Sequence, residues 1–98
     1  MTLRGRRVDA NHAAIVQVLR QLNCAVLDLS RLGHDVPDLA VWRRGEVWMV
    51  EVKNKAARGA VSSGQELWMT RWPGPSVVLW SAEEAAEWAL GRATCRTA

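Results

Sequence analysis

Phenylalanine and tyrosine are absent from this chain, so six tryptophans supply all of its aromatic bulk. Cysteine is scarce. Cys24 and Cys95 lie far apart and match no Cys-x-x-Cys or Cys/His spacing, which argues against a structural zinc site. Two such cysteines read as free thiols in a reducing cytosol. No apolar run approaches the length needed to span a bilayer. The opening residues, MTLRGRRVDANH, are basic but lack the apolar core of a signal peptide. Internal repeats and low-complexity linkers are also missing.

What is present suits one small domain. The 98 residues are 49% hydrophobic, enough for a modest core and too many for a disordered chain. Residues 1–98 are expected to form a single domain, with 1–8 and 92–98 as flexible basic tails. Thirteen basic against ten acidic residues leave a net charge of only +3. The distribution is uneven. Arg4, Arg6 and Arg7 crowd one end, Arg43 and Arg44 sit together, and Lys53, Lys55 and Arg58 follow, while Glu83, Glu84 and Glu87 cluster near the other end. That spread permits a polyanion on one face.

The elements follow from periodicity. Ile15, Val18, Leu19 and Leu22 form a helical stripe, giving a first helix from about Asp9 or Asn11 to a left-handed stop at Asn23. Cys24–Ser30, Asp38–Arg43 and Glu46–Lys53 read as strands, the last two joined by a tight turn at Arg44-Gly45. Ser63 with Glu66, and Ser81 with Glu84, are capping boxes that start two more helices. The first of these ends at Pro73-Gly74-Pro75, and Gly91 terminates the second. Ser76–Trp80 is a short strand between them. The order α-β-β-β-α-β-α predicts an α/β fold, a mixed sheet with helices on its faces.

Chemistry gathers at one end of the predicted hairpin. Strand alternation puts Val47, Met49, Glu51 and Lys53 on one face and Trp48, Val50 and Val52 on the other. Both faces are apolar until Glu51. In an antiparallel pair Asp38 and Glu51 lie side by side, two repelling carboxylates that one cation could satisfy. Phosphodiester hydrolysis needs such a divalent ion and a group to orient water. Asp38, Glu51 and the Val52 carbonyl offer oxygen ligands, suited to Mg²⁺ or Mn²⁺. Lys53 could hold the water or neutralise developing charge. Gln65, in the first turn of the second helix, could reach the same pocket, with Asp9 and Asn11 as outer contributors. Arg43, Arg44, Lys55, Arg58 and His34 are the candidates for DNA-backbone contacts.

Pro37-Asp38, then Glu51-Val52-Lys53, then Gln65, resembles the PD-(D/E)XK nuclease superfamily, and within it the small stand-alone VRR-NUC-type or Holliday-junction-resolvase-like proteins of phages and prophages. The resemblance extends over most of the chain. It includes Asp9-Ala10-Asn11-His12 with Ile15-Val16 and Leu19-Arg20, the loop Gly33 to Asp38, and Ser81, Glu83, Glu84 and Ala85. It implies a restriction-endonuclease-like fold, with Asp38 and Glu51 as metal ligands, Lys53 as the catalytic lysine and Gln65 in support. It also implies branched or junction DNA as substrate, in the cytoplasm of a bacterial or phage-infected cell. Two positions depart from the family pattern. Asp9 or Asn11 stands where the first-helix acid is often Glu, which bears on a second metal site. Asn54-Lys55 replaces an expected glycine, which bears on the substrate loop.

Plainer readings compete with these. Asp9 and Asn11 fit helix caps, and His12 and His34 fit the surface. Trp68, Trp72 and Trp88 suit core or interface more than base-stacking. The expectation is a metal-dependent DNA endonuclease; the alternative is a nucleic-acid-binding or assembly module that keeps the fold without cutting. A homodimer is also expected. Two cuts across a junction need two sites, and part of the tryptophan load, at Trp68, Trp72 or Trp88, could cover a partner.

Overall fold

A computed structural model describes residues 10–33, 35–54 and 63–91; within the second helix the side chains at 63, 65 and 66 lie outside that description. The elements are α1 (Ala10–Gln21), β1 (Ala25–Asp28), β2 (Leu39–Arg43), β3 (Glu46–Val52), α2 (Ser63–Arg71), β4 (Ser76–Leu79) and α3 (Ala82–Leu90). The order is the one the sequence predicts. The four strands form one mixed sheet in the order β1-β2-β3-β4. β1–β2 and β2–β3 pair antiparallel, and β3–β4 pairs parallel across the α2 crossover.

Helices cover both faces. On one, Ile15, Val16 and Leu19 of α1 and Ala85, Trp88 and Ala89 of α3 pack on Leu39, Val41, Val50, Val77 and Leu79. On the other, Met69 of α2, with Trp68 and Trp72 partly buried, packs on Ala40 and Met49. The central strand β3 is therefore covered on both sides, as its two apolar faces require.

Local chemistry explains the boundaries. Arg44 (φ 53°) and Gly45 (φ 85°) both take positive φ, the two-residue turn that suits the twist of a tight hairpin. The Arg44 side chain ties this turn to α3, its guanidinium Nη2 donating to the Leu90 carbonyl at 3.0 Å. Asn23 (φ 69°) ends α1 as expected. Ser81 caps α3 by accepting from the Glu84 amide at 3.0 Å, and Glu84 reaches back to the Trp80 amide at 2.6 Å.

Two expectations need correction. Asn11 is not a cap but lies inside the first turn of α1. Its Nδ2 donates to the carbonyls of Lys53 at 2.8 Å and Trp80 at 3.1 Å, just past the ends of β3 and β4. His12 is not on the surface: it is 8% exposed, with Nε2 3.1 Å from Asp28 Oδ2. The reason is shared. The start of α1 lies against the carboxyl ends of the sheet, so polar residues there find strand-end partners instead of water.

Cys24 is a free buried thiol, while Cys95, Asp9, the tails at 1–8 and 92–98, and the Ser63–Glu66 side-chain pair fall outside the described residues. Among the described residues no helix is long and apolar enough to cross a membrane.

Replacing Asn11 with alanine strands two carbonyls at the ends of adjacent strands. We expect a loss of about 1–3 kcal/mol, read as a lower urea midpoint with an unchanged m-value. A midpoint within error of wild type would mean that the clamp is dispensable.

Candidate active site

The site is assembled by strand register. Leu39 pairs with Val50, so the next residues outward, Asp38 and Glu51, emerge side by side at the open end of the hairpin. Both lie on the α2-facing side, one period of two beyond Ala40 and Met49. Pro37 is fully buried and fixes the entry to β2. Asp38 Oδ2 accepts from the Val52 amide at 2.9 Å, which extends the ladder by a side chain just before β2 begins. Lys53 donates its amide to Leu79 O at 3.0 Å, toward β4. Alternation then turns the Val52 amide and carbonyl together toward the Asp38 side.

Glu51 is only 1% exposed. Asp38 lies within hydrogen-bonding reach of its carboxyl, and Lys53 Nζ stands 3.4 Å from Oε2. Burial, then the neighbouring Asp38 charge, push the Glu51 carboxyl up to about 7, against the opposing pull of Lys53. The ammonium is itself largely shielded, with 12% of its side chain exposed. Two acids and one amine thus meet in a confined space where one positive charge does not fully satisfy two negative ones. Two carboxylates beside a strand-end carbonyl form an oxygen set that fits a hard divalent cation. Among the described residues no group of three or more His, Cys, Asp or Glu side chains gathers as a metal cluster, so water or substrate oxygens would have to complete the coordination.

The other expected residues are placed differently. Gln65 sits in the first turn of α2, with its side chain outside the described residues. Asn11 approaches through Lys53, but its amide is already committed to two backbone carbonyls. Arg43 and Arg44 lie at the opposite end of the hairpin, five strand rises or about 17 Å from Asp38. The Arg43 guanidinium lies over the Trp88 ring at 4.8 Å and the Trp48 ring at 5.6 Å, a cation–π contact at the edge of the core. Arg44 is bound to α3. His34, Lys55 and Arg58 lie outside the described residues.

Sequence reasoning missed the acid on the other face. Asp28 ends β1 at the same end of the sheet, but pairing with Leu39 turns it toward α1. There it accepts from the Ser30 amide (2.9 Å), the Ser30 hydroxyl (2.6 Å) and meets His12 (3.1 Å). Burial acts to raise its carboxyl, but these hydrogen bonds outweigh that and hold it below its ordinary value. The signal was present in the spacing Asp28-Leu29-Ser30, an Asx-type turn at a strand end.

The chain matches no family model, no curated protein and no solved structure.

The raised Glu51 carboxyl gives a pH dependence of known sign. Folded Glu51 holds its proton up to about 7, whereas an unfolded glutamate releases it near 4.5. Between these values the folded state binds the extra proton, so stability must fall as pH rises through that window. The lowered Asp28 acts only in more acid solution, around and below 3.8. In EDTA, denaturation midpoints should therefore drop between about pH 4.5 and pH 7, and Glu51→Gln should flatten that slope. A Glu51→Gln protein with the wild-type slope would show that the carboxyl titrates normally.

Proposed function

We propose that this protein is a divalent-metal-dependent DNA endonuclease with a restriction-endonuclease-like fold, of the PD-(D/E)XK type that its sequence resembles. The observation that carries the reading is the trio at one strand end: Asp38 and Glu51 in mutual reach, with the Lys53 ammonium 3.4 Å from Glu51. Such a trio has no stabilising logic of its own, since a buried carboxyl beside a second acid is costly to ionise. It has a catalytic logic.

Asp38, Glu51 and the Val52 carbonyl would hold Mg²⁺ or Mn²⁺, which when bound supplies Lewis-acid neutralisation of phosphate charge. Asp38 keeps its geometry through the Val52 amide. Lys53, braced by Glu51 on one side and by its backbone bonds to Leu79 and Asn11 on the other, points a fixed positive charge at the phosphate or the attacking water. Shielding by the sheet end and α2 strengthens each of these interactions. Gln65 would support the pocket from α2. Lys55, Arg58 and His34, close in sequence to the site, suit backbone contacts better than Arg43 and Arg44, which the fold has engaged elsewhere. Branched DNA in a bacterial or phage-infected cytoplasm completes the proposal.

One observation favours a second reading. The described residues hold only two carboxylates at the site and no larger metal cluster, as suits a nucleic-acid-binding module that no longer cuts. The two readings separate in one experiment. For a nuclease, Mg²⁺ or Mn²⁺ raises the melting temperature by linkage, and Asp38→Ala or Glu51→Ala abolishes both the shift and cleavage. Lys53→Met should lower the cleavage rate about a hundredfold or more while leaving DNA binding intact. Unimpaired cutting in excess EDTA, or binding without cutting across linear, flapped and four-way-junction DNA, would refute the nuclease.

The proposed enzyme acts as a homodimer, but not through Trp88, which is 3% exposed and part of the core. The better surface is the β1 edge. Leu27 (54% exposed) and Trp42 (48% exposed) are diagonal neighbours on the α2-facing side, beyond the reach of α2. Light scattering at micromolar protein should give twice the chain mass, reduced by Trp42→Glu. A monomer that stays monomeric on junction DNA would leave a nicking enzyme.

A further inference from the structure

Along the outer side of α2 runs a groove of ≈ 370 Å³ that the carboxylate site does not use. Its floor is aromatic. Trp68 and Trp72, one helical turn apart, stack with centroids 6.2 Å apart and planes inclined by 24°. Trp72 is fixed, because its indole Nε1 donates to the Pro75 carbonyl at 2.8 Å. Leu67, 53% exposed, and Arg71 flank the pair. Arg71 is exposed and makes no ion pair among the described residues. The groove begins at Asp35 and Gly64. These two are packed so closely that a Cβ at Gly64 would collide with the Asp35 carboxylate. Asp35 is three residues from Asp38, so this end of the groove lies within about 10 Å of the carboxylate site.

We propose that the groove holds an unpaired nucleobase of a single-stranded or branched nucleic acid, stacked on the Trp68–Trp72 ledge, with Arg71 against the neighbouring phosphate. Four observations select this occupant. The two indoles already touch, leaving no slot between them, so a planar ligand adds to the outer face of the stack. The volume suits one nucleotide and lies at the low end of small-ligand sites. Two charged residues line the groove: Asp35 at the closed end against Gly64, and beside the tryptophans the exposed Arg71, a cation complementary to phosphate. The groove also spans only a nine-residue helix, about 13 Å long. A strip of that length and one helix diameter wide covers on the order of 150 Å², well short of the roughly 800 Å² per partner of a stable protein interface, which disfavours a second copy or a helical peptide.

The inference rests on the nuclease reading for one point, that the stacked base belongs to the strand being cut. It makes the unpaired base at a branch point the feature recognised, with the phosphate beside it delivered to Asp38 and Glu51. Base stacking on aromatics tolerates every base, so the preference is for unpaired structure and not for sequence.

The test needs no cleavage. Fluorescence anisotropy in EDTA compares a labelled 12-mer of dT with a 12-mer of abasic residues and with a blunt duplex. The dT strand should bind roughly tenfold tighter than the abasic one, within the range of one stacked base. Trp68→Leu should erase that ratio and leave duplex binding unchanged. Trp68→Phe, the milder variant, should retain part of it. Arg71→Gln should weaken dT and abasic strands alike. An unchanged ratio in both Trp68 variants overturns the proposal. So does a change of oligomeric mass in Trp68→Leu, which would make the groove an interface between copies. A full dT preference with no cleavage under any metal leaves the stacking site standing and removes the nuclease. Cleavage with no dT preference does the reverse.

Discussion

Glu51 is the constraint the architecture answers to. A carboxyl with 1% exposure sits at the end of the most enclosed strand, next to a second carboxyl. Nothing in the packing of the sheet demands it. Val47 and Met49, which precede it on the same face, show what that face would carry if stability alone were served. The surroundings look arranged to tolerate the acid. Lys53 supplies partial compensation, Asp38 is immobilised by the Val52 amide, and Asn11 ties down the backbone just beyond. Natural folds accept such local conflict chiefly at functional sites.

The sheet makes the two sides of its carboxyl end chemically unlike. On the α2 side stand Asp38 and Glu51, short of positive charge. On the α1 side stands Asp28, saturated by Ser30 and His12. One strand end thus carries an acid that its hydrogen bonds hold ionised, and the central strand carries one that burial and a neighbouring acid push toward the protonated form. Alternation by one residue separates them, because Asp28 pairs with Leu39 while Asp38 and Glu51 lie one step further out.

Much of this was legible in the residues. The hairpin could be read because Arg44-Gly45 allows only a tight turn, and a tight turn fixes register. Register then placed Asp38 beside Glu51 without further information. Helix ends were legible where a cap acts locally, at Asn23, Ser81 and Gly91. What could not be read was long-range. Asn11 looked like a cap because caps are local, whereas its partners lie 42 and 69 residues away. Arg43 looked like a surface cation because nothing in its neighbourhood announces Trp88 as a partner. His12 likewise hides its link to Asp28, which depends on how α1 crosses the sheet edge. Strand order and the choice of face for each helix belong to the same class.

The Asn11 bonds also bear on the route by which the chain folds. The three antiparallel strands are neighbours in sequence and can zip from their turns at little loop-closure cost. The parallel partner β4 can join only after the α2 crossover is traversed. Asn11 bridges the residues just beyond β3 and β4, so its two bonds can form together only once that last pairing exists. The clamp then belongs to the native side of the folding barrier. It governs how long the closed sheet persists before opening more than how fast it assembles. In a chevron its loss would steepen nothing in the refolding arm and lift the unfolding arm. A residue in the first turn of the chain's first helix would be among the last to find its place.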